Sequence, residues 1–392
     1  RTQRFTLGAP RDVTVAADGS LVAFLRSGGP EDPVTALWAF DVATGDERVV
    51  ADPRALLAEG EEDLPAAERA RRERARESAA GITAYATDDH HRVAVAALGG
   101  QLVVADLRAG TAHLLDVPGP VVDPRPDPTG RRVAWVREGR LGVAELADAG
   151  SARELAGEDD PSVQWGVAEF VAAEEMDRYR GYWWAPDGER LLAARVDDSP
   201  IPRWWIADPA RPDQAPTEVA YPAAGTADAD VSLWVLDLAD GRTEVRWDRA
   251  ALPYVAQAGW DRHGPLLALH PRDQRALEVR SVDPDTGDTT TLWRDEDAAW
   301  VERAPGTPAR LPDGRLLVCS DRDGTRRLLV DGEPVTPIDL HVRGVSHVGD
   351  EGVLFVANPI DDATAQDVWW WREAEPRPLA RPADARERGF RQ

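Results

Sequence analysis

The chain has 392 residues, 43% hydrophobic and 30% charged, which supplies enough apolar material for a large core. Its net charge of -24, from 70 acidic against 46 basic residues, repels phosphate backbones and anionic lipid, so neither a nucleic-acid nor a membrane partner is expected. The same field attracts cations, among them the protonated amino terminus of a peptide. The single cysteine, Cys319, excludes an intramolecular disulfide. No apolar run approaches the roughly 20 residues of a membrane span and no signal peptide opens the chain, so a cytoplasmic location is expected.

One phrase recurs along the chain: an Asp-Gly or similar turn, a short apolar strand, a second strand ending in Asp, and another turn. Ala17-Asp18-Gly19 leads into Leu21 to Leu25, and Leu37 to Asp41 precedes Thr44-Gly45-Asp46. Arg92 to Ala96 is followed by Gln101 to Asp106, and Val133 to Val136 by Leu141 to Glu145. Asp187-Gly188 precedes Leu191 to Ala194, and Leu233 to Asp237 meets Asp240-Gly241. Leu266 to Leu269, Leu316 to Val318 and Val353 to Val356 continue the series. Each phrase is a hairpin signal, because Asp and Gly tolerate the positive φ of tight turns. Repeats of about 40 residues with up to four short strands predict an all-β chain of propeller blades, seven of them recognisable, with the 15 tryptophans packed between blades.

Two segments break the pattern and are predicted as helices. Leu64 to Ala80 is Ala-rich and charge-alternating, with Pro65 near its start and Gly81 past its end. Its arginines Arg69, Arg71, Arg72, Arg74 and Arg76 read as a solvated face. The second helix runs from Val167 to Arg178. Val167, Phe170 and Val171 set an apolar stripe on which Glu174 is the next position, so its carboxylate is expected toward the packed side, with Glu175 about 100° further round. The pair would bracket one cation if the helix faces a cavity; otherwise these are solvated acids at a helix end, with Asp177 and Arg178 on the same surface. Spacing alone favours the solvated reading. A third irregularity, Asp198 to Asp230, swells one repeat well beyond the others.

Chemistry within the chain is scarce. Gly344-Val345-Ser346-His347-Val348 lacks the last glycine and the following helix of a nucleophile elbow, and reads as a strand edge. His90-His91 lacks ligand spacing around it and reads as a solvated turn. Cys319 sits in an apolar run as a buried, inert thiol. No P-loop or dinucleotide fingerprint is present. Hence no catalytic residue, no metal ligand set and no cofactor are expected.

Phe170-Val171-Ala172-Ala173-Glu174-Glu175-Met176-Asp177-Arg178, followed by Gly181-Tyr182-Trp183-Trp184-Ala185-Pro186-Asp187-Gly188, closely resembles the signature of the dipeptidyl-peptidase IV family of serine exopeptidases. Asp197 to Pro202 and Tyr221 to Thr226 also look like that family. The resemblance covers essentially the whole chain, residues 1–392, as the family's N-terminal β-propeller. It implies that Glu174 and Glu175 bind the substrate's free α-ammonium. By its offset from the Gly81-Ile82-Thr83-Ala84-Tyr85 segment, Arg76 matches the family arginine that holds the substrate's second carbonyl, with Arg74 as the alternative. It further implies eight blades, a Ser–Asp–His triad in a C-terminal α/β-hydrolase domain absent from this chain, and a homodimer supported by the Asp198–Asp230 arm. The partners expected are therefore peptides with a free N-terminus, the hydrolase domain and a second copy. The leading function is the substrate-gating domain of an aminopeptidase releasing X-Pro or X-Ala dipeptides. The alternatives are an exopeptidase of another cleavage length and a non-enzymatic, protein-binding scaffold.

Overall fold

The turn-and-strand phrases build antiparallel meanders. The computed structural model describes residues 6–57, 64, 68–69, 72, 77, 79–372 and 377–378. In the first sheet, Arg11–Val15, Leu21–Ser27, Val34–Asp41 and Glu47–Ala51 pair in chain order. Asp18 sets the first turn by accepting from the Ser20 backbone N–H at 2.9 Å, and Gly19 supplies a φ of +69°. Six further sheets repeat this order, giving seven four-stranded blades among the described residues, as the sequence predicts. An eighth such sheet is not found among them. One blade also carries a short fifth strand, Ala80–Gly81, and a four-residue helix α1, Pro53–Leu56, caps on the Asp52 side chain.

The chain divides into two compact units, residues 1–245 with 284–287, and residues 246–283 with 288–392. The first unit holds four blades and the second three. Inside each unit the apolar clusters lie between consecutive blades. Leu21, Leu37 and Leu25 of the first blade join Ala94, Leu98 and Leu107 of the second. Trp135 of the third blade packs with Val95, Leu102 and Val104 of the second. A strand flanked by a blade on either side is covered on both faces. That is why Leu102 to Ala105 of the second blade reads as a continuous apolar run and is buried instead of alternating, Val103 and Ala105 packing with the first blade and Leu102 and Val104 with the third. Packing between blades holds for Trp135, Trp165, Trp184 and Trp371, whereas Trp204, Trp205 and Trp300 are exposed. Cys319 is buried and its thiol is pushed up to about 11 by desolvation, so it is inert as expected.

Two expectations need correction here. His91 is buried, with Nε2 2.9 Å from the Thr14 hydroxyl, so the His90-His91 turn is not solvated on both sides. Arg72 is buried and paired with Glu68 at 2.8 Å, and it donates to the carbonyls of Ala79 and Gly81, so it anchors its segment and does not belong to a solvated face. Of the rest of the predicted Leu64–Ala80 helix, Arg71, Arg74 and Arg76 lie outside the described residues, and Ala80 belongs to the strand Ala80–Gly81.

Two tyrosines lock neighbouring blades by the same device. Asp12 and Asp123 each adopt positive φ (51° and 47°) at a bulge in the first strand of a blade. The hydroxyl of Tyr85 donates toward the Asp12 and Ala23 carbonyls at 2.7 and 2.8 Å. That of Tyr182 lies 2.8 Å from the Ala134 carbonyl and also faces the carbonyl of Asp123. Burial pushes the Tyr85 phenol up to about 12 and that of Tyr182 well above the ordinary range. A folded pKa above the unfolded value of about 10 contributes stability below pH 10 that is lost as pH rises through the folded value. Stability should therefore fall between pH 10 and 12, and Tyr85→Phe should flatten that fall when urea midpoints are followed across the window. An unchanged slope in the variant would count against the assignment.

Candidate functional site

The Glu174–Glu175 segment is an excursion from the first strand of the fourth blade. Val163–Trp165 and Tyr182–Trp184 both pair with Arg190–Asp197, at Trp165↔Arg195 and Tyr182↔Ala193. Residues 166–181 leave the sheet between them. The gap is closed by Ala194, whose carbonyl accepts from Gly166 N–H at 2.9 Å and whose N–H donates to the Gly181 carbonyl at 2.7 Å. A Cβ on Gly181 would lie 2.2 Å from the Val167 carbonyl oxygen, so the two legs of the excursion pass too closely for any side chain.

Within the excursion stands α2, Phe170–Glu175, shorter than the predicted Val167–Arg178. Glu169 takes the N-cap position without a side-chain cap bond, and Asp177, just past the end, takes a φ of +53°. A helix of this length is not stable alone, so tertiary contacts must hold it. The face it buries is Glu169, Ala172, Ala173 and Met176. The large apolar stripe Val167–Phe170–Val171 is only partly buried, and both Glu174 and Glu175 are exposed. The expectation that Glu174 points toward the packed side is thus corrected: the buried apolar positions of the helix are Ala172, Ala173 and Met176, and both carboxylates are exposed.

Arg178 is likewise not on the glutamates' surface. It is buried and ion-paired with buried Glu169, and its second nitrogen donates to the Arg180 carbonyl at 3.0 Å. This pair ties the start of α2 to the chain after its end. Arg180 donates to the Tyr182 carbonyl at 2.8 and 3.0 Å and lies over the Trp183 ring at 5.5 Å. Burial, and then the charge of Arg125, push its guanidinium down to about 9, still protonated at neutral pH. Arg125 in turn pairs with Asp123 at 2.7 Å. Sequence reasoning missed the Asp123–Arg125–Arg180 group. The available signal was Asp123-Pro124-Arg125 interrupting an apolar strand start, which marks a bulge.

A cavity of about 250 Å³ borders α2, lined by Phe170, Ala173, Val196, Ile201 and Ala220 among others, with Glu169 and Asp123 on its wall. A second cavity of about 220 Å³ shares Asp123 and Tyr179 and reaches Thr83 and Tyr85, next to the arginine-rich segment. Glu174 and Glu175 therefore share one segment, which runs on into buried Arg178 and half-buried Arg180. No three His, Cys, Asp or Glu residues form a metal-holding group among the described residues. Ser346 is exposed in the strand Leu340–Gly349, so the near-elbow is the strand predicted for it. No described helix is long and apolar enough to cross a membrane.

The span 198–230 forms a two-stranded hairpin arm, Arg203–Ile206 with Thr217–Ala220, between two strands of the fourth blade. It exposes Trp204, Trp205 and Ile206. At its base Tyr221 meets Trp204 at 4.9 Å between ring centroids and Phe170 of α2 edge-on at 5.5 Å.

Residues 81–347 match the family described as "Dipeptidyl peptidase IV (DPP IV) N-terminal region". Human dipeptidyl peptidase 8 is 29% identical over 156 residues, 34% of this chain and 17% of that protein. The venom dipeptidyl peptidase 4 of Apis mellifera is 25% identical over 238 residues, 54% of this chain and 31% of that protein. The inactive dipeptidyl peptidase 10 of Rattus norvegicus is 37% identical over 79 residues, 19% of this chain and 9% of that protein. The crystal structure of Porphyromonas gingivalis dipeptidyl peptidase 4 has the same fold, with a TM-score of 0.68 and 17% identity. That match covers 94% of this chain and 52% of the other, so the chain spans about half the length of that peptidase.

Proposed function

The chain belongs to the family of dipeptidyl peptidase IV N-terminal regions, and from that premise we propose that it is the substrate-gating, amine-binding part of a serine dipeptidyl aminopeptidase that releases X-Pro or X-Ala dipeptides. The observation that carries this reading is the pair Glu174–Glu175, adjacent and exposed on a helix that a blade strand extrudes and then clamps. A peptide's α-ammonium has a pKa of about 8 and is mostly charged near neutrality. Two carboxylates give it charge-assisted hydrogen bonds. Holding the amine at a set distance from a nucleophile makes a ruler that places the scissile bond after the second residue. An internal peptide segment brings no ammonium and leaves both acids unpaired, which is discrimination as well as affinity. Arg76 is the proposed ligand of the second carbonyl. The nucleophile belongs to a hydrolase domain outside this chain, which by itself turns over nothing.

The test is a calorimetric titration of the chain with glycyl-proline amide and with its N-acetyl derivative. Binding is expected for the first only; equal binding of both overturns the reading. Similarity to a protein named inactive dipeptidyl peptidase 10 favours, as the second reading, a non-enzymatic propeller that binds proteins. Such a scaffold has no reason to distinguish the two probes.

The exposed Trp204, Trp205 and Ile206 of the arm support a homodimer contact. Trp205→Asp should shift sedimenting dimer toward monomer, and a dimer unaffected by that change and by deletion of 203–220 argues against the arm.

A further inference from the structure

We propose that Tyr221 is a positioning residue: through Phe170 it makes the arm a strut that sets where α2 holds Glu174 and Glu175. The proposal rests on the amine-binding reading for its functional consequence, and on geometry alone for its mechanical part.

Four observations lead there. α2 has six residues and no side-chain cap at its start, so its position is decided by what it touches. Along one flank it does not pack on the sheet: the 250 Å³ cavity separates Phe170 and Ala173 from Val122, Val136 and Val196, leaving room for α2 to shift. Across that flank stands Tyr221, whose ring meets the Phe170 ring edge-on at 5.5 Å, the geometry favoured by the ring quadrupoles. Tyr221 is itself held to the arm, by the Trp204 ring at 4.9 Å and by its N–H donating to the Pro202 carbonyl at 3.1 Å.

Helical geometry then connects strut to site. Glu174 is four residues beyond Phe170 and so lies on the same side of α2, one turn on. A displacement of the Phe170 end over the cavity carries both carboxylates with it. Two charge-assisted hydrogen bonds to one ammonium tolerate little displacement, because their strength depends on distance and angle. Anything that repositions the arm base, including a partner seated on Trp205 and Ile206, would thereby change how the amine is held.

The test uses the chain with two readouts. Hydrogen exchange of the Ala173 and Met176 amides, which donate to Glu169 and Ala172, reports how firmly α2 is held. Calorimetry with glycyl-proline amide reports the amine site. Tyr221→Ala should speed exchange at both amides about fivefold or more and weaken binding by a similar factor. Tyr221→Phe, which keeps the ring, should restore both. Phe170→Ala should match Tyr221→Ala, and the double variant should be no worse than either single one. Wild-type exchange in Tyr221→Ala overturns the strut whatever the binding result, as does full additivity of the two alanine changes. If Glu174→Ala and Glu175→Ala leave binding unchanged, the amine-site reading fails, and the exchange readout still decides the strut.

Discussion

In a peptidase containing this chain, Glu175→Ala is expected to lower kcat/KM for free-amine dipeptide substrates by about 30-fold, with Glu174→Ala close behind. Removing one partner of a desolvated charge pair costs about 2–5 kcal/mol. Both carboxylates are exposed in the unliganded chain, so their desolvation occurs only when substrate seats, which places the loss near the lower bound of about 2 kcal/mol. The discriminating control is the N-acetylated substrate, poor for the parent and expected to be affected far less. Equal proportional losses on free and acetylated substrates would assign the glutamates to structure. Glu175→Gln separates charge from shape. It keeps one acceptor oxygen but no charge, so it should fall between wild type and alanine and bring a weaker dependence on the ammonium's ionisation.

Arg178→Ala should cost about 3–5 kcal/mol of stability, because it strands the Glu169 carboxylate in a site where both side chains are only 4% exposed. The effect is local in origin. Glu169 sits at the start of α2 and Arg178 follows its end, so the pair closes the excursion across its middle while Gly166 and Gly181 close it at the base. Urea denaturation reads the loss. The double variant Glu169→Leu/Arg178→Met removes both charges together and should recover most of it, as apolar replacement of a buried pair generally does. A single variant as stable as wild type would show that the carboxylate finds water or another partner. A double variant no better than the single one would show that packing, not charge, is what the pair supplies.

The blades were legible because their determinants are local. Asp18-Gly19, Asp187-Gly188 and Asp313-Gly314 announce turns by their own backbone preferences, and the strands between them need no distant information. The excursion was legible as helix and as a family signature but not in its orientation. Periodicity points large apolar residues inward, yet Phe170 here meets an arm 51 positions away at Tyr221, and the buried positions are Ala172 and Ala173. Arg178 and Arg72 read as surface because arginine is rarely buried; Glu68 is a local i,i+4 partner of Arg72 whose burial the spacing does not reveal, and Glu169 meets Arg178 only once the chain has folded back. The Asp123 bulge is fixed by a tyrosine from the next blade, a long-range contact that no window around residue 123 contains.

The way the fourth blade's strand departs at Trp165 and resumes at Tyr182 on a single neighbouring strand separates two histories. Ala194 bridges the departure, so the pairing on either side is indifferent to how many residues pass between. Elsewhere in a sheet, one inserted residue turns every following side chain to the opposite face. Here an insertion or deletion is absorbed outside the ladder. Lineages can therefore lengthen, shorten or exchange the segment bearing Glu174 and Glu175 without renegotiating the blade beneath it. The same property makes residues 166–181 a unit that can be grafted between related propellers at the price of two glycines.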